Sequence, residues 1–473
     1  MKEKFAKINE LLWEMPKENY SEMRVPARLY ATEKIIEETE EKALGQLINI
    51  ASLPGIVRHA VAMPDIHSGY GPPIGGVGAT RADKGVISPG FVGFDENCGV
   101  RLLTSELKKS DIEDDIDACA QKIFETVPSG VGQGRKKMSM KDLEALLTDG
   151  SQWVVSQKMG KKEDVERCEG RGKLPADHQK LSDQAKKRGL DQVGTLGSGN
   201  HFIEIQEVEK VYDEEKAKVF GLKEGAVAVM IHTGSRGLGH QNCKDYLKKA
   251  EKATKRAGFD FPDRQFNSFY FDSREGQDFY FALGAACNFS FANRQMITHL
   301  IRSVWREFFS EELSLMYDVA HNTAKVETHE IDGEDVELVV HRKGATRAFP
   351  PGHRELPEIY KETGQPVIMP GSMGTSSYIL SGIRAGSPSF YSTAHGAGRR
   401  MSRTKAKRKF STQSLFELMN EKNILVKSKS KKGVVEEDPR AYKDIDEVVD
   451  VVAGARLAKK VAKVKPLAVI KGE

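Results

Sequence analysis

Over residues 282–309 apolar side chains recur at positions 285, 289, 292, 296, 300, 304 and 308. Steps of three and four residues place them on one stripe of a 3.6-residue helix and predict a long helix packed into the core. A second stripe, Ile445, Val448, Val452 and Ala455, predicts a helix over 444–463 that Pro466 stops, with a terminal strand at 467–470. Two other segments read as strands. Residues 226–231 form a continuous apolar run that delivers His232 into the small-residue loop Thr233-Gly234-Ser235-Arg236-Gly237, and residues 201–208 form the second. If that second strand is regular, Asn200, Phe202 and Glu204 share a face and His201 points the other way. Strands and helices that do not alternate strictly, separated by Gly-rich turns, predict an α+β fold.

No Pro/Ser-rich linker, low-complexity tract or internal repeat divides the 473 residues, so one large domain over 1–473 with insertions is expected. The segment 105–187, helix-forming, rich in Lys, Glu and Asp and broken by the Gly-rich stretch 129–134, is the expected peripheral helical insertion. No apolar run approaches the roughly 18 residues of a membrane span, which excludes a transmembrane function. Met1-Lys2-Glu3-Lys4 leads into a charged segment instead of an apolar signal core, so the cytoplasm is the expected compartment. Net charge is +4, from 72 basic and 68 acidic side chains, so only local clustering can identify a partner. The cysteines at 98, 119, 168, 243 and 287 are scattered and lack a C-x-x-C pair, against a disulfide framework and against a zinc ribbon.

Familiar nucleotide motifs are missing. The Gly-Lys pairs at 160 and 172 are followed by Lys162 and Leu174, which excludes a P-loop. Pro72 and Pro73 prevent the strand-to-helix turn that a dinucleotide loop would need in the Gly-rich stretch 69–78. Chemistry is carried elsewhere. Asp95 and Cys98 set a carboxylate and a thiol three residues apart beside Gly99, where a tight turn could aim both at one ion. Taken alone, Cys98 is more often a buried free cysteine. Its company is His201, His232 and His321, each in a small, polar setting; imidazoles, a carboxylate and a thiolate make a plausible transition-metal set, although a lone histidine is more often structural. His395 lies in Ser392-Thr393-Ala394-His395-Gly396-Ala397-Gly398-Arg399, whose small residues allow close approach of a phosphate, and neutral imidazole is a competent nucleophile at phosphorus. The run that follows, with Arg399, Arg400, Arg403, Lys405, Lys407, Arg408 and Lys409 and no acid between them, is usually a solvated face. Beside a candidate nucleophile it suits polynucleotide phosphates.

These residues carry a resemblance to the RtcB-type RNA-splicing ligases. The matching strings include Ala62-Met63-Pro64-Asp65-Ile66-His67, Gly93-Phe94-Asp95 with Asn97-Cys98-Gly99-Val100-Arg101, and Gly199-Asn200-His201-Phe202. They continue through Gly234-Ser235-Arg236-Gly237-Leu238-Gly239-His240-Gln241, Asp318-Val319-Ala320-His321-Asn322, Pro370-Gly371-Ser372-Met373-Gly374-Thr375, His395-Gly396-Ala397-Gly398-Arg399 and Ile470-Lys471-Gly472. They span nearly the whole chain.

The resemblance implies mixed sheets flanked by helices around a central metal and nucleotide cleft. It also implies a GTP- and Mn²⁺-dependent ligase that joins an RNA 3′-phosphate or 2′,3′-cyclic phosphate to a 5′-hydroxyl in tRNA splicing and RNA repair. His395 would attack GTP and become guanylylated. Cys98 would bridge two Mn²⁺ ions, one also held by His232 and His321, the other by Asp95 and His201. The guanylate pocket would take Asn200, His201, Phe202, Ile203, Glu204, His321, Asn322, Pro370, Gly371, Ser372, Met373, Ser377, His395, Gly396, Ala397, Gly398, Tyr442 and Lys471. Arg399, Arg400, Arg403 and Arg408 are the expected RNA contacts, and archease the expected activating partner. Softness arguments alone favour zinc or iron at such a site, so Mn²⁺ rests on the resemblance. Glu96 departs from the pattern, standing where an aliphatic residue is usual, and is expected to add charge beside the site; Thr233 replaces a common Ser. The competing readings are a metal-dependent phosphohydrolase or nuclease, which the metal set alone supports equally well, and a nonenzymatic RNA-binding protein.

Overall fold

The structure, a computed structural model, describes residues 1–130 and 138–472. Residues 131–134 of the Gly-rich stretch 129–134, and residues 131–137 of the segment 105–187, therefore lie outside the described residues. The architecture is α+β, built on two large mixed sheets. One has seven strands in the order Ala6–Asn9, Leu12–Met15, Ala27–Tyr30, Ala60–His67, Ile74–Arg81, Glu334–Lys343 and Asn322–Ile331. The other runs Ser314–Ala320, Gly99–Lys108, Ala226–Thr233, Phe202–Val211, Ala458–Lys471, Ser377–Gly382 and Pro366–Met369, with Leu425–Lys427 paired to Ala458–Lys471.

Register in the second sheet explains how distant residues meet. Gly99 pairs with Thr233 on one side and Ala320 on the other, while His232 pairs with Phe202. Cys98, His201, His232 and His321 therefore lie at one end of four neighbouring strands. Asn322–Ile331 then carries the chain into the seven-stranded sheet. A short antiparallel pair, Ala345–Arg347 with Ser392–Ala394, presents His395 at the same end.

The apolar stripe over 282–309 lies in the helix Arg274–Phe309, which begins earlier, at an N-cap where Ser273 Oγ accepts from Gly276 N at 3.1 Å. It buries Ala285, Phe289, Ala292 and Val304, and also Ser290, Asn293 and Arg294, whose polar groups reach the site, while Asn288 bonds to the backbone of Leu147, Thr148 and Leu174. Residues 105–108 finish the strand Gly99–Lys108; the helices Ile116–Thr126, Met140–Asp149 and Ser151–Ser156 follow within 105–187.

The C-terminal expectation is corrected. The helix covers Ile445–Gly454 only, and Ala458–Lys471 is a single strand that contains Pro466. Arg456, with φ 58°, turns the chain out of the helix. Pro466 is tolerated because the ladder register shifts between it and Ala468, a bulge where no donor is required.

Candidate active site

The loop between Gly93 and Gly99 is a tight turn in which Asn97 has φ 55° and Cys98 N donates to Asp95 O at 3.0 Å. Neighbouring strands and the long helix fix it. Asn97 N donates to Asn322 O at 2.8 Å, and Asn322 Nδ2 donates to Asp95 O at 3.1 Å. Ser290 Oγ and Arg294 Nη1 donate to Asn97 O at 2.7 and 2.9 Å, and Arg294 Nη1 also reaches Thr233 O at 2.9 Å, tying the turn to the strand that ends at His232. Arg294 is itself held by Asp318, which pairs with Arg101 as well, all three fully buried. At Gly234 a Cβ would stand 2.2 Å from Asp95 Oδ1, so only glycine lets the carboxylate sit there.

On this scaffold Cys98 Sγ lies 3.3 Å from both His201 Nε2 and His232 Nε2. His232 Nε2 is 3.3 Å from His321 Nε2, and His201 Nε2 is 2.8 Å from Asp95 Oδ2. Two groups of ligand atoms result, Cys98–His232–His321 and Asp95–Cys98–His201, each with its atoms within 4.8 Å of one another, and Cys98 belongs to both. A single proton cannot bridge three mutually facing acceptors, whereas a cation at their centre satisfies all of them. The donor set therefore fits a pair of metal ions sharing one sulfur.

Burial sets the protonation of these groups. It raises the Cys98 thiol well above its ordinary value, with Asp95 adding to the rise, and lowers the His232 and His321 imidazoles well below theirs. Neutral imidazole is the ligating form. Burial opposes ionisation of Asp95 too, but the adjacent His201 outweighs it and holds the carboxyl below the usual range. Glu96 does not join the ligand groups. Its side chain points away to Asn242, whose Nδ2 donates to both carboxyl oxygens at 3.1 and 3.0 Å, and burial raises the carboxyl well above its ordinary value.

His395 stands against this centre, its ring centroid 4.9 Å from that of His321. Its Nδ1 lies 2.6 Å from Asp65 Oδ2, and its backbone N donates to the same oxygen at 3.0 Å. Asp65 is fully buried, so one carboxylate sets the ring plane and occupies Nδ1, leaving Nε2 for the cavity. Gly398, with φ 70°, keeps the loop against Asp65, where a Cβ would meet the backbone oxygen at 2.3 Å. The cavity has a volume of about 260 Å³ and is lined on the metal side by Asp95, Cys98, His232 and His321.

Of the expected pocket residues, Asn200, Phe202, Glu204, Asn322, Pro370, Gly371, Ser372, Met373, His395, Gly396, Ala397, Gly398, Tyr442 and Lys471 line the cavity. The parity argument for the strand after His201 matches this: Phe202 and Glu204 face the cavity with Asn200, while Ile203 is buried in the apolar core behind it. Ser377 stands one layer back, its Oγ accepting from Gly371 N at 3.0 Å. Burial raises the Glu204 carboxyl to about 8. Lys471 Nζ donates to Gly199 O at 2.5 Å.

The basic run is not uniformly free. Arg399 lines the cavity but bonds to Met401 O, Glu436 O, Glu437 and Tyr442, and its guanidinium lies over the Tyr442 ring at 4.9 Å. Arg403 and Lys407 pair with Glu436 and Glu437, and Arg400 with Glu38. Arg408 is exposed on the helix Arg403–Lys409. Sequence reasoning missed Asp65 as the partner of His395. The available signal was a carboxylate inside an otherwise apolar strand, Ala60–His67.

Fold and site together define an α+β protein with a candidate metal centre facing a carboxylate-held histidine across a cavity. The family described as "tRNA-splicing ligase RtcB" matches residues 46–472. Similar proteins include the tRNA-splicing ligase RtcB of Nanoarchaeum equitans, 50% identical over 99% of each chain, and that of Thermococcus kodakarensis, 48% identical over 98% of each. The RNA-splicing ligase RtcB of Mycobacterium tuberculosis is 48% identical over 90% of this chain and all of its own. The chain belongs to the RtcB family. Among the described residues no helix is long and apolar enough to cross a membrane.

Proposed function

We propose that this protein is a GTP- and Mn²⁺-dependent RNA ligase that joins 3′-phosphate or 2′,3′-cyclic phosphate ends to 5′-hydroxyl ends, with His395 as the nucleophile. The observation that carries the reading is the pairing of Cys98, whose sulfur belongs to both ligand groups, with an oriented imidazole whose Nδ1 is occupied by Asp65. With Nδ1 so held, Nε2 attacks the α-phosphorus of GTP and pyrophosphate leaves, giving a phosphoramidate on His395. The guanylyl group then passes to an RNA 3′-phosphate, and the 5′-hydroxyl displaces GMP to form the phosphodiester; a cyclic phosphate is first opened by hydrolysis. Asp95, Cys98, His201, His232 and His321 would hold two Mn²⁺ ions, which supply Lewis-acid polarisation of phosphoryl oxygens and lower the pKa of an attacking hydroxyl. Asn200, Phe202, Glu204 and Tyr442 would form the walls for the guanosine, and the small-residue loop Gly396-Ala397-Gly398, which lines the same cavity, would let a phosphate approach His395 closely. The reading carries with it a cytoplasmic setting, tRNA halves or broken RNAs as substrates, and archease as an activating partner.

The test is incubation with GTP labelled at the α-phosphate, Mn²⁺ and RNA bearing the two ends. Label that survives denaturation, is lost in His395→Ala and disappears as RNA is joined supports the ligase. Hydrolysis of RNA ends without nucleotide, and no adduct, would instead establish the phosphohydrolase or nuclease reading that the metal ligands alone also suit.

A further inference from the structure

Two grooves continue the catalytic cavity across the surface. The first shares Asp95, Asn200 and Arg403 with the cavity and is also lined by Lys187, Arg188 and Arg236. The second shares Phe94 and His240 with the first and adds Tyr70, Lys244, Lys248 and Arg264. The path thus leaves the Asp95–His201 side of the metal centre, away from His395.

One helix lays out its floor. In Arg236–Ala257 the residues Arg236, His240, Lys244 and Lys248 recur every four positions, so they form one stripe about 18 Å long starting beside the metal loop. His240, Lys244 and Lys248 are exposed. The single acid lining the second groove, Glu251, is already paired with Lys255 at 2.9 Å. Aromatic rings sit against the stripe: Phe94 stacks on His240 at 4.9 Å and 26°, and Tyr70, 37% exposed, packs edge-on to Phe94 at 5.1 Å. The platform is held from below by Lys343, a buried side chain whose Nζ donates to Gly90 O at 3.0 Å and to Tyr70 O. Cations along one stripe beside an aromatic step are what an unpaired polynucleotide needs, with Arg236, Lys244 and Lys248 for its phosphates and rings for its bases. A duplex, whose bases are already stacked, can use only the charge.

We propose that this stripe and its Tyr70–Phe94–His240 step seat a single-stranded stretch of the RNA substrate as it leads into the metal centre. The proposal rests on the ligase reading for the identity of the polymer and centres the contact on the helix Arg236–Ala257, with Arg403 the member of the Arg399–Lys409 run that lines the first groove.

The experiment measures fluorescence anisotropy of short single-stranded RNAs bound to the full chain with Mn²⁺ over a series of salt concentrations. One RNA ends in a 5′-hydroxyl and one in a 3′-phosphate, each labelled at its far end, with a blunt duplex for comparison. K244A/K248A should lower the slope of log affinity against log salt by about 1.4, two phosphate contacts at about 0.7 each for a single strand. His240→Ala should weaken binding about fivefold or more at fixed salt, with the slope kept and the affinity restored in His240→Phe. The oligonucleotide that shows these losses identifies the strand seated there. Unchanged binding of both RNAs by both variants overturns the proposal, as does a duplex bound as tightly as the single strand. Adduct formation with GTP by the unaltered protein is scored alongside. Its failure would remove the ligase reading while the binding data still judge the groove, and its success with unchanged RNA binding would remove the groove alone.

Discussion

Replacing Asp65 by Asn tests how much of the chemistry depends on holding one imidazole. Asp65 Oδ2 accepts from both Nδ1 and the backbone N of His395, and Oδ1 is buried without a partner. An asparagine has two choices there. With its oxygen in the Oδ2 position it keeps both donors but loses the charge and buries an NH₂ group where nothing accepts. With its nitrogen there, the backbone N–H of His395 loses its acceptor and Nδ1 must accept, which moves the ring proton to Nε2 and blocks the nucleophile. Each orientation costs about 2–4 kcal/mol, from one weakened charge-assisted bond and one unsatisfied buried donor. If that cost falls on the attacking geometry, guanylylation slows by roughly 30- to 10³-fold. Single-turnover formation of the adduct from labelled GTP measures this, with GTP binding followed separately. Adduct formation at the unaltered rate would refute the orienting role of Asp65.

Gly234→Ala places a Cβ 2.2 Å from Asp95 Oδ1, so the carboxylate must shift and metal affinity, read by calorimetric titration with Mn²⁺, should fall by about 10- to 100-fold; unchanged affinity contradicts the ligand assignment of Asp95. Arg294→Ala removes the clamp on Asn97 O and Thr233 O and leaves buried polar groups unpaired, which should cost about 3–5 kcal/mol in urea denaturation; a loss under about 1 kcal/mol would show that the metal turn holds itself. For Glu204, burial raises the folded carboxyl to about 8 from an ordinary 4.5, so the folded protein keeps a proton that the unfolded chain releases. That contribution is complete below about pH 4.5 and is lost as pH rises to about 8. The melting temperature of Glu204→Gln relative to the unaltered protein should therefore climb between about pH 5 and 8, and a flat difference would mean that Glu204 is not held neutral.

How legible was this molecule in its sequence? Local, periodic signals read well. The apolar run before His232 is a strand because it is buried on both faces, and the stripe at 285 to 308 marks the Arg274–Phe309 helix. Strand parity separated Phe202 and Glu204 from His201 before any coordinates. Signals that depend on partners distant in sequence did not read. The run from Arg399 to Lys409 contains no acid, yet Glu436 and Glu437 fold onto Arg399, Arg403 and Lys407. Adjacency in sequence puts Glu96 beside the metal loop, but the tight turn delivers its carboxyl to Asn242. The C-terminal helix ends earlier than its stripe implies because Arg456 turns the chain directly after Ala455, and a proline inside a strand requires a bulge that no local pattern announces.

The most direct measurement is a crystal structure with Mn²⁺ and a slowly reacting GTP analogue. The account predicts two ions sharing the Cys98 sulfur, one completed by His232 and His321 and the other by Asp95 and His201, with the α-phosphorus facing His395 Nε2. Ions that bypass Cys98, or a nucleotide whose α-phosphate lies out of reach of His395, would contradict it.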